Sequence, residues 1–322
     1  MSYAIDVIVP VYNRAGCIKN LVKELEKQTF RDFRVIFVDD GSTDDSCAVI
    51  NELLPNANFP YILIQKENGG AGSARNAGMR AAEAKWISFV DSDDGLHPEF
   101  LEYLHTAGTK AEADLVFCNL QMIPEGSGKA PAPLGPLTYK EVSPSHGMQI
   151  YCTRWVGPVC LLIDRQFQQA NNLFFDEDCI YCEDVPFIMT VIAATKKIAY
   201  IPQELYIYYT HQGSLSRSPS IEKYVSAIEA FQRVETAINS ASLDVGVVFR
   251  QIASIRYYIA TLRRSAVQLN YKSFLTLANM IDLPRYQQNV QFLQQRTQRL
   301  ACRLLLFSKP LFYYAVRLIF KD

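Results

Sequence analysis

Three carboxylates, Asp91, Asp93 and Asp94, stand within four residues at the end of the apolar run Trp86-Ile87-Ser88-Phe89-Val90. Like charges packed this closely repel one another, and a divalent cation with oxygen ligands relieves the repulsion. The competing reading is a solvated acidic turn leading into a helix near Pro98, a residue suited to a first helical turn. A second acidic stretch ends in Glu183-Asp184, directly before the apolar segment Val185 to Ala194. A carboxylate there can take a proton from a hydroxyl as a general base, or can serve only to cap the helix that follows. Three further apolar runs end in polar groups: Tyr12-Asn13 after the first, Asp39-Asp40-Gly41-Ser42 after the second, and Asn68-Gly69-Gly70 after the third.

The elements that must hold these groups alternate. Residues 4–12 form a β-branched run in which Pro10 is expected to end the ladder. Ile18, Leu21, Val22 and Leu25 recur at helical spacing. Arg34 to Val38 reads as a second strand, and Ser42 with Asp45 resembles a capping box for a helix carrying Val49, Ile50, Leu53 and Leu54. Tyr61 to Gln65, a helix from Gly69 to Ala84 and the 86–90 strand complete a β-α-β-α-β-α-β series. Such alternation predicts an α/β fold whose parallel sheet has helices on both faces, with ligands bound outside the carboxyl ends of the strands. The four polar strand ends should therefore converge on one crevice. Beyond it come a strand at 114–119, a Pro- and Gly-rich loop at 124–136, a strand at 159–163, short strands at 198–201 and 205–210, and helical pattern from 220 onward.

At 322 residues and 49% hydrophobic content the chain can bury a large core without staples. Eight scattered cysteines suit reduced thiols, and Cys179-x-x-Cys182 lacks the further ligands a zinc site needs. No basic leader opens the chain and no long uncharged apolar run occurs, so the expected location is cytoplasmic. Charge is unevenly spread: residues 217–322 hold 15 Lys and Arg against 6 Asp and Glu, whereas residues 1–216 hold 17 against 27. The 296–322 tail mixes cations with Leu, Phe and Tyr, a composition suited to an anionic membrane interface or to packing on protein.

Taken together, Val9-Pro10-Val11-Tyr12-Asn13, Val38-Asp39-Asp40-Gly41-Ser42-Thr43-Asp44, the 68–76 segment Asn-Gly-Gly-Ala-Gly-Ser-Ala-Arg-Asn, Asp91-Ser92-Asp93-Asp94, Glu183-Asp184 and the 211–217 segment resemble the inverting family 2 glycosyltransferases of bacterial surface-polysaccharide type. The resemblance implies a GT-A fold, a Rossmann-like nucleotide-sugar-binding unit with a mostly parallel central sheet, followed by a helical C-terminal region. The implied division is a catalytic unit over 1–217, with its nucleotide half about 1–119 and its acceptor half about 120–217, and a helical extension over 218–322. By the same resemblance Tyr12, beside Pro10 and Asn13, stacks on the base, and Asp40 accepts the imide N–H of uracil, which favours UDP donors. Arg75 lies beside the nucleotide with Asn68 and Gly69, Arg14 reaches toward the phosphates, and Ser214, Ser216 and Arg217 close over the diphosphate. Asp91, with Ser92, holds ribose or metal through water, Asp93 ligates Mn2+ or Mg2+ directly, His211 completes the metal shell, and Asp94 orients the loop. Asp184 is the implied base for an acceptor hydroxyl, with Glu183 as the alternate.

The expected reaction is metal-dependent inverting transfer of one sugar from a nucleotide sugar to a saccharide or lipid-linked saccharide. The expected setting is the inner face of a cytoplasmic membrane, with peripheral contact through 296–322, a homodimer as a candidate assembly, and no nucleic-acid partner. A non-catalytic nucleotide-sugar sensor of the same fold is the rival, and it has no need of a base. A dehydrogenase is disfavoured because no G-x-G-x-x-G follows the first strand, and a processive synthase because no Gln-x-x-Arg-Trp occurs.

Overall fold

The computed structural model describes residues 3–125, 127, 131–154, 156–210, 220–239, 243–293 and 295–320. Its strands are β1 (Ile5–Val11), β2 (Phe33–Asp39), β3 (Tyr61–Gln65), β4 (Trp86–Phe89), β5 (Gly95–Leu96), β6 (Leu115–Pro124), β7 (Lys140–Val142), β8 (Leu161–Asp164) and β9 (Ile198–Thr210). They form one sheet in the order β3-β2-β1-β4-β8-β6-β9-β5, with β7 on β9. The first four strands are parallel to one another, as the alternation predicts. Antiparallel β8 then joins β4 to β6, and β6 runs parallel to β9.

Two sequence expectations fail here for local reasons. Pro10 does not end β1: the strand continues through Pro10 and Val11 beside Val38 and Asp39 of β2. On its other side β4 pairs only as far as Ile8, so the missing proline N–H faces no partner strand. The two short strands expected at 198–201 and 205–210 are one strand, β9, whose register against β6 slips at Cys118 and Asn119. Asn119 fills the irregularity, donating to Pro202 O at 2.7 Å and accepting from the Tyr200 hydroxyl at 3.1 Å.

The helices are α1 (Ala15–Glu26), α2 (Ser46–Leu53), α3 (Gly70–Ala81), α4 (Phe100–Ala111), α5 (Pro144–Thr153), α6 (Arg165–Ala170), α7 (Asp184–Ala194), α8 (Ile221–Asn239), α9 (Leu243–Val248), α10 (Ser254–Gln268), α11 (Tyr271–Asn279), α12 (Arg296–Phe307) and α13 (Lys309–Ile319). α1 buries Ile18, Leu21, Val22 and Leu25, the stripe visible in the sequence. α3 lies close on β1 because Gly78 has no Cβ: one built there would sit 2.4 Å from Ile8 Cγ2.

The C-terminal helices share an aromatic core in which Phe231 stacks on Tyr257 at 4.0 Å. α9 and α10 are continuous through a wide π-helical turn at Phe249–Ala253, and Asn289 donates to the Arg250 carbonyl of that turn at 2.8 Å. Among the described residues no helix is long and apolar enough to cross a membrane.

Candidate functional site

The carboxyl ends of β1, β2 and β4 do meet, and side chains fix the loops between them. Asn13, with φ of +51°, is the clasp between the first two. Its Oδ1 accepts from Thr43 N at 2.8 Å, and its own N–H donates to Ser42 Oγ at 3.0 Å. Ser42 is thus used across the crevice and not as a helix cap. α2 starts after Asp45 with no side-chain cap bond, so the expected capping box does not form. Tyr12 stays over a third exposed at the crevice rim, an open aromatic face for a flat ring.

Asp40 is buried and its carboxylate is heavily engaged. It accepts from Lys66 Nζ at 2.7 Å, Gly69 N at 3.0 Å and Gly70 N at 2.7 Å, while Asn68 Nδ2 donates to its carbonyl at 2.9 Å. Its first structural duty is to hang the Asn68–Gly70 loop, with Gly70 at φ +85°, against the end of β2. Lys66, which sequence reasoning passed over, neutralises it.

The acidic loop is held from below by β9. β5 pairs with β9, setting Leu96 beside Tyr206. The Tyr206 hydroxyl donates to Asp94 Oδ2 at 2.9 Å and accepts from Asp91 N at 3.1 Å, and Tyr209 N donates to Asp94 Oδ1 at 3.1 Å. Burial, then the nearby Asp91 and Asp93 charges, push the Asp94 carboxyl up to about 8. Asp94 therefore shapes the loop, leaving the half-buried Asp91 and Asp93 side chains on the crevice. Ser92 is buried between them. No signal in the 205–210 pattern marked Tyr206 as a member of the site.

Two arginines balance those carboxylates. Arg14 Nη2 lies 3.2 Å from Asp93 Oδ2. Arg75, on the buried face of α3, reaches Asp91 Oδ1 at 2.8 Å with one Nη and Glu183 Oε1 at 2.9 Å with the other. Its guanidinium lies 5.4 Å from the Phe175 ring centroid, and its buried Nε has no partner among the described residues. Burial opposes its charge, but Asp91 and Glu183 outweigh burial and raise its proton affinity above the ordinary arginine value. Neighbouring α3 side chains lock onto the same segment. Asn76 donates to Phe175 O at 2.9 Å and to Glu177 Oε1 at 2.8 Å, and Ser73 donates to Glu177 Oε2 at 3.1 Å.

Glu183 precedes α7, and Asp184 is that helix's first residue, half-buried and next to Glu183. Burial, then Glu183, raise the Asp184 carboxyl from the ordinary value of 3.8 to about 6, with Arg75 pulling the other way. A carboxylate so placed is a stronger base than a solvated aspartate while remaining ionised at neutral pH.

Among the described residues no three His, Cys, Asp or Glu side chains form a preformed metal cage. Asp91 and Asp93 nevertheless offer two hard oxygen donors on one loop, each now balanced by an arginine. This is a donor set that fits Mg2+ or Mn2+ completed by phosphate and water oxygens. His211, Ser214, Ser216 and Arg217 lie outside the described residues. Cys179 and Cys182 are free thiols, burial pushing both up to about 12, which is unlike a redox pair.

The family model described as Glycosyl transferase family 2 matches residues 6–162. The chain is 27% identical over 273 residues to glycosyltransferase GlyG of Streptococcus pneumoniae, covering 81% of this chain and 90% of that protein. It is 24% identical over 314 residues to the poly(ribitol-phosphate) beta-N-acetylglucosaminyltransferase TarS of Staphylococcus aureus, covering 96% of this chain but 52% of TarS. The structure of S. aureus TarS 1-349 in complex with UDP-GlcNAc superposes with a TM-score of 0.75 at 21% identity, covering 100% of this chain and 92% of that one, a likeness of fold.

Proposed function

We propose that the chain is a family 2 glycosyltransferase that moves a single sugar from a UDP-sugar to a saccharide or lipid-linked saccharide hydroxyl, with inversion, in surface-polysaccharide synthesis. One observation carries the reading. A single buried guanidinium, Arg75, ties the acidic loop after β4 to Glu183 at the start of α7, so the donor end and the candidate base are built as one unit. A binding module would have no use for the second half of that unit. The donor class is supported by TarS, whose structure holds UDP-GlcNAc.

In the proposed reaction Tyr12 stacks on the base, and Asn13 keeps the Tyr12 strand end and the Asp39–Asp44 loop in register. The imide contact assigned to Asp40 would use what acceptor capacity remains beyond Lys66, Gly69 and Gly70. Asp184 accepts the proton of the acceptor hydroxyl as that oxygen bonds to the anomeric carbon. The bond from that carbon to the diphosphate breaks on the opposite face, and its electron pair leaves with the nucleotide. Arg75 holds Glu183 in place, so Asp184 works beside a neighbouring carboxylate that favours its taking the proton. Asp93, with Asp91, would hold Mn2+ or Mg2+, which supplies charge neutralisation at the departing diphosphate. Arg14, now 3.2 Å from Asp93, would be within reach of phosphate oxygens once a cation took its place on that carboxylate.

The test is turnover with UDP-, dTDP- and GDP-sugars against a set of saccharide acceptors, with NMR of the product. A β-linked product from an α-linked UDP-sugar, lost in Asp184→Asn, supports the reading. Retained configuration, or turnover undiminished in that variant, would refute it.

A further inference from the structure

The last two helices are docked by one face and open on the other. α13 buries Phe312, Tyr313 and Val316, and α12 buries Cys302 and Leu305. The docking is specific: Arg317 Nη1 donates to Ala266 O at 3.1 Å and Leu269 O at 3.0 Å, capping the C-terminus of α10, and the Tyr313 hydroxyl donates to the same Leu269 carbonyl at 3.0 Å. The tail is therefore no loose appendage. Its outer face is set rigidly by the helices beneath it.

That outer face has a defined composition. On α12 the exposed positions Arg296, Leu300, Arg303 and Phe307 recur at helical spacing as one stripe, and on α13 Leu311, Tyr314 and Leu318 form another. Phe307 is 83% exposed, Leu318 75% and Ile319 72%, large apolar groups that a monomer would normally bury. Lys309 at the helix junction and Arg263, whose guanidinium lies 5.0 Å from the Phe320 ring centroid, add cations at the margin. From residue 283 to 320 the sequence holds six Lys or Arg and not one Asp or Glu. A face with cations, aliphatic and aromatic side chains and no carboxylate complements an extended negative surface with an apolar interior behind it.

We propose that the α12–α13 face is a bilayer-docking surface for anionic phospholipid, with Phe307, Leu311, Leu318 and Ile319 entering the acyl boundary and Arg296 and Arg303 at the headgroups. The proposal adds to the transferase reading a fixed surface on which a lipid-linked acceptor would be met. Docking itself requires no catalysis, so the two fail separately.

The experiment is co-sedimentation of the full chain with vesicles of phosphatidylglycerol in phosphatidylcholine, or of phosphatidylcholine alone. The comparison is with Phe307→Ser/Leu318→Ser and Arg296→Gln/Arg303→Gln, with donor hydrolysis in vesicle-free buffer as a check on folding. Wild type is expected on the anionic vesicles only and released by salt. The cation pair should weaken binding about 25-fold, at about fivefold per charge, and the apolar pair should abolish it, with donor hydrolysis unchanged in both. Absence of wild-type binding, equal binding to neutral vesicles, or variants that bind like wild type would overturn the proposal. So would a chain that ignores vesicles but sediments as a dimer split by Phe307→Ser/Leu318→Ser.

Discussion

Replacing Asp184 by Asn separates its chemical task from its structural cost. Burial and the Glu183 charge raise the carboxyl from 3.8 to about 6 in the folded protein. The unfolded chain therefore ionises at lower pH than the folded one. Below about pH 4 the group is protonated in both states and costs nothing. As pH rises through that window the unfolded state gains first, and above about 6 the penalty is constant. Two powers of ten in proton affinity correspond to about 3 kcal/mol, a ceiling because the carboxylate keeps some contact with water. Asp184→Asn removes the charge at nearly constant volume, so it should raise the thermal midpoint at pH 7.5 by a few degrees and leave it unchanged at pH 3.5. Turnover should fall about 10²- to 10⁴-fold, the usual worth of a general base. In wild type, kcat/KM should fall about tenfold per pH unit below 6 and level off above it. A variant that is less stable at pH 7.5, or a wild-type profile flat from pH 5 to 8, would refute the assignment of Asp184 as a half-buried base of raised proton affinity.

Arg75→Lys keeps a charge but cannot span Asp91 and Glu183, and it should lower stability by about 3 kcal/mol in chemical denaturation while raising the donor KM. Gly78→Ala sets a methyl against Ile8 on β1 and should cost about 1–3 kcal/mol in the same assay with the wild-type donor specificity retained. Asn13→Ala forfeits the bonds to Thr43 while keeping a strained φ, and calorimetry should show donor binding weakened about tenfold.

The parallel half of the sheet was legible because each strand is a short apolar run closed by polar residues, with a helical stripe between. The convergence of Tyr12, Asp40, Asn68 and Asp91 follows from that topology alone. What the sequence hid were contacts between distant segments. Nothing near Arg75 signals that it meets Glu183, 108 residues away, and nothing in the alternation of β9 distinguishes Tyr206, which anchors the acidic loop, from its neighbours. Asp6 shows the converse. A charge inside a core strand looks like a functional candidate, yet it accepts Arg34 Nε at 2.8 Å and Ala84 N at 2.8 Å, and it only ties the far end of β1. Pro10 misled because proline breaks a ladder only on the side where a partner strand is present.

The central claim is that the crevice takes a UDP-sugar through a divalent cation on Asp93 and that Asp184 is the base for the acceptor hydroxyl that receives the sugar. Titrating a UDP-sugar calorimetrically into wild type, Asp93→Ala and Asp184→Asn, each with and without Mn2+, tests it most directly. The account predicts Mn2+-dependent binding in wild type and in Asp184→Asn, and loss of that dependence in Asp93→Ala. Binding that ignores Mn2+ in all three proteins, or no binding of any UDP-sugar, would contradict it.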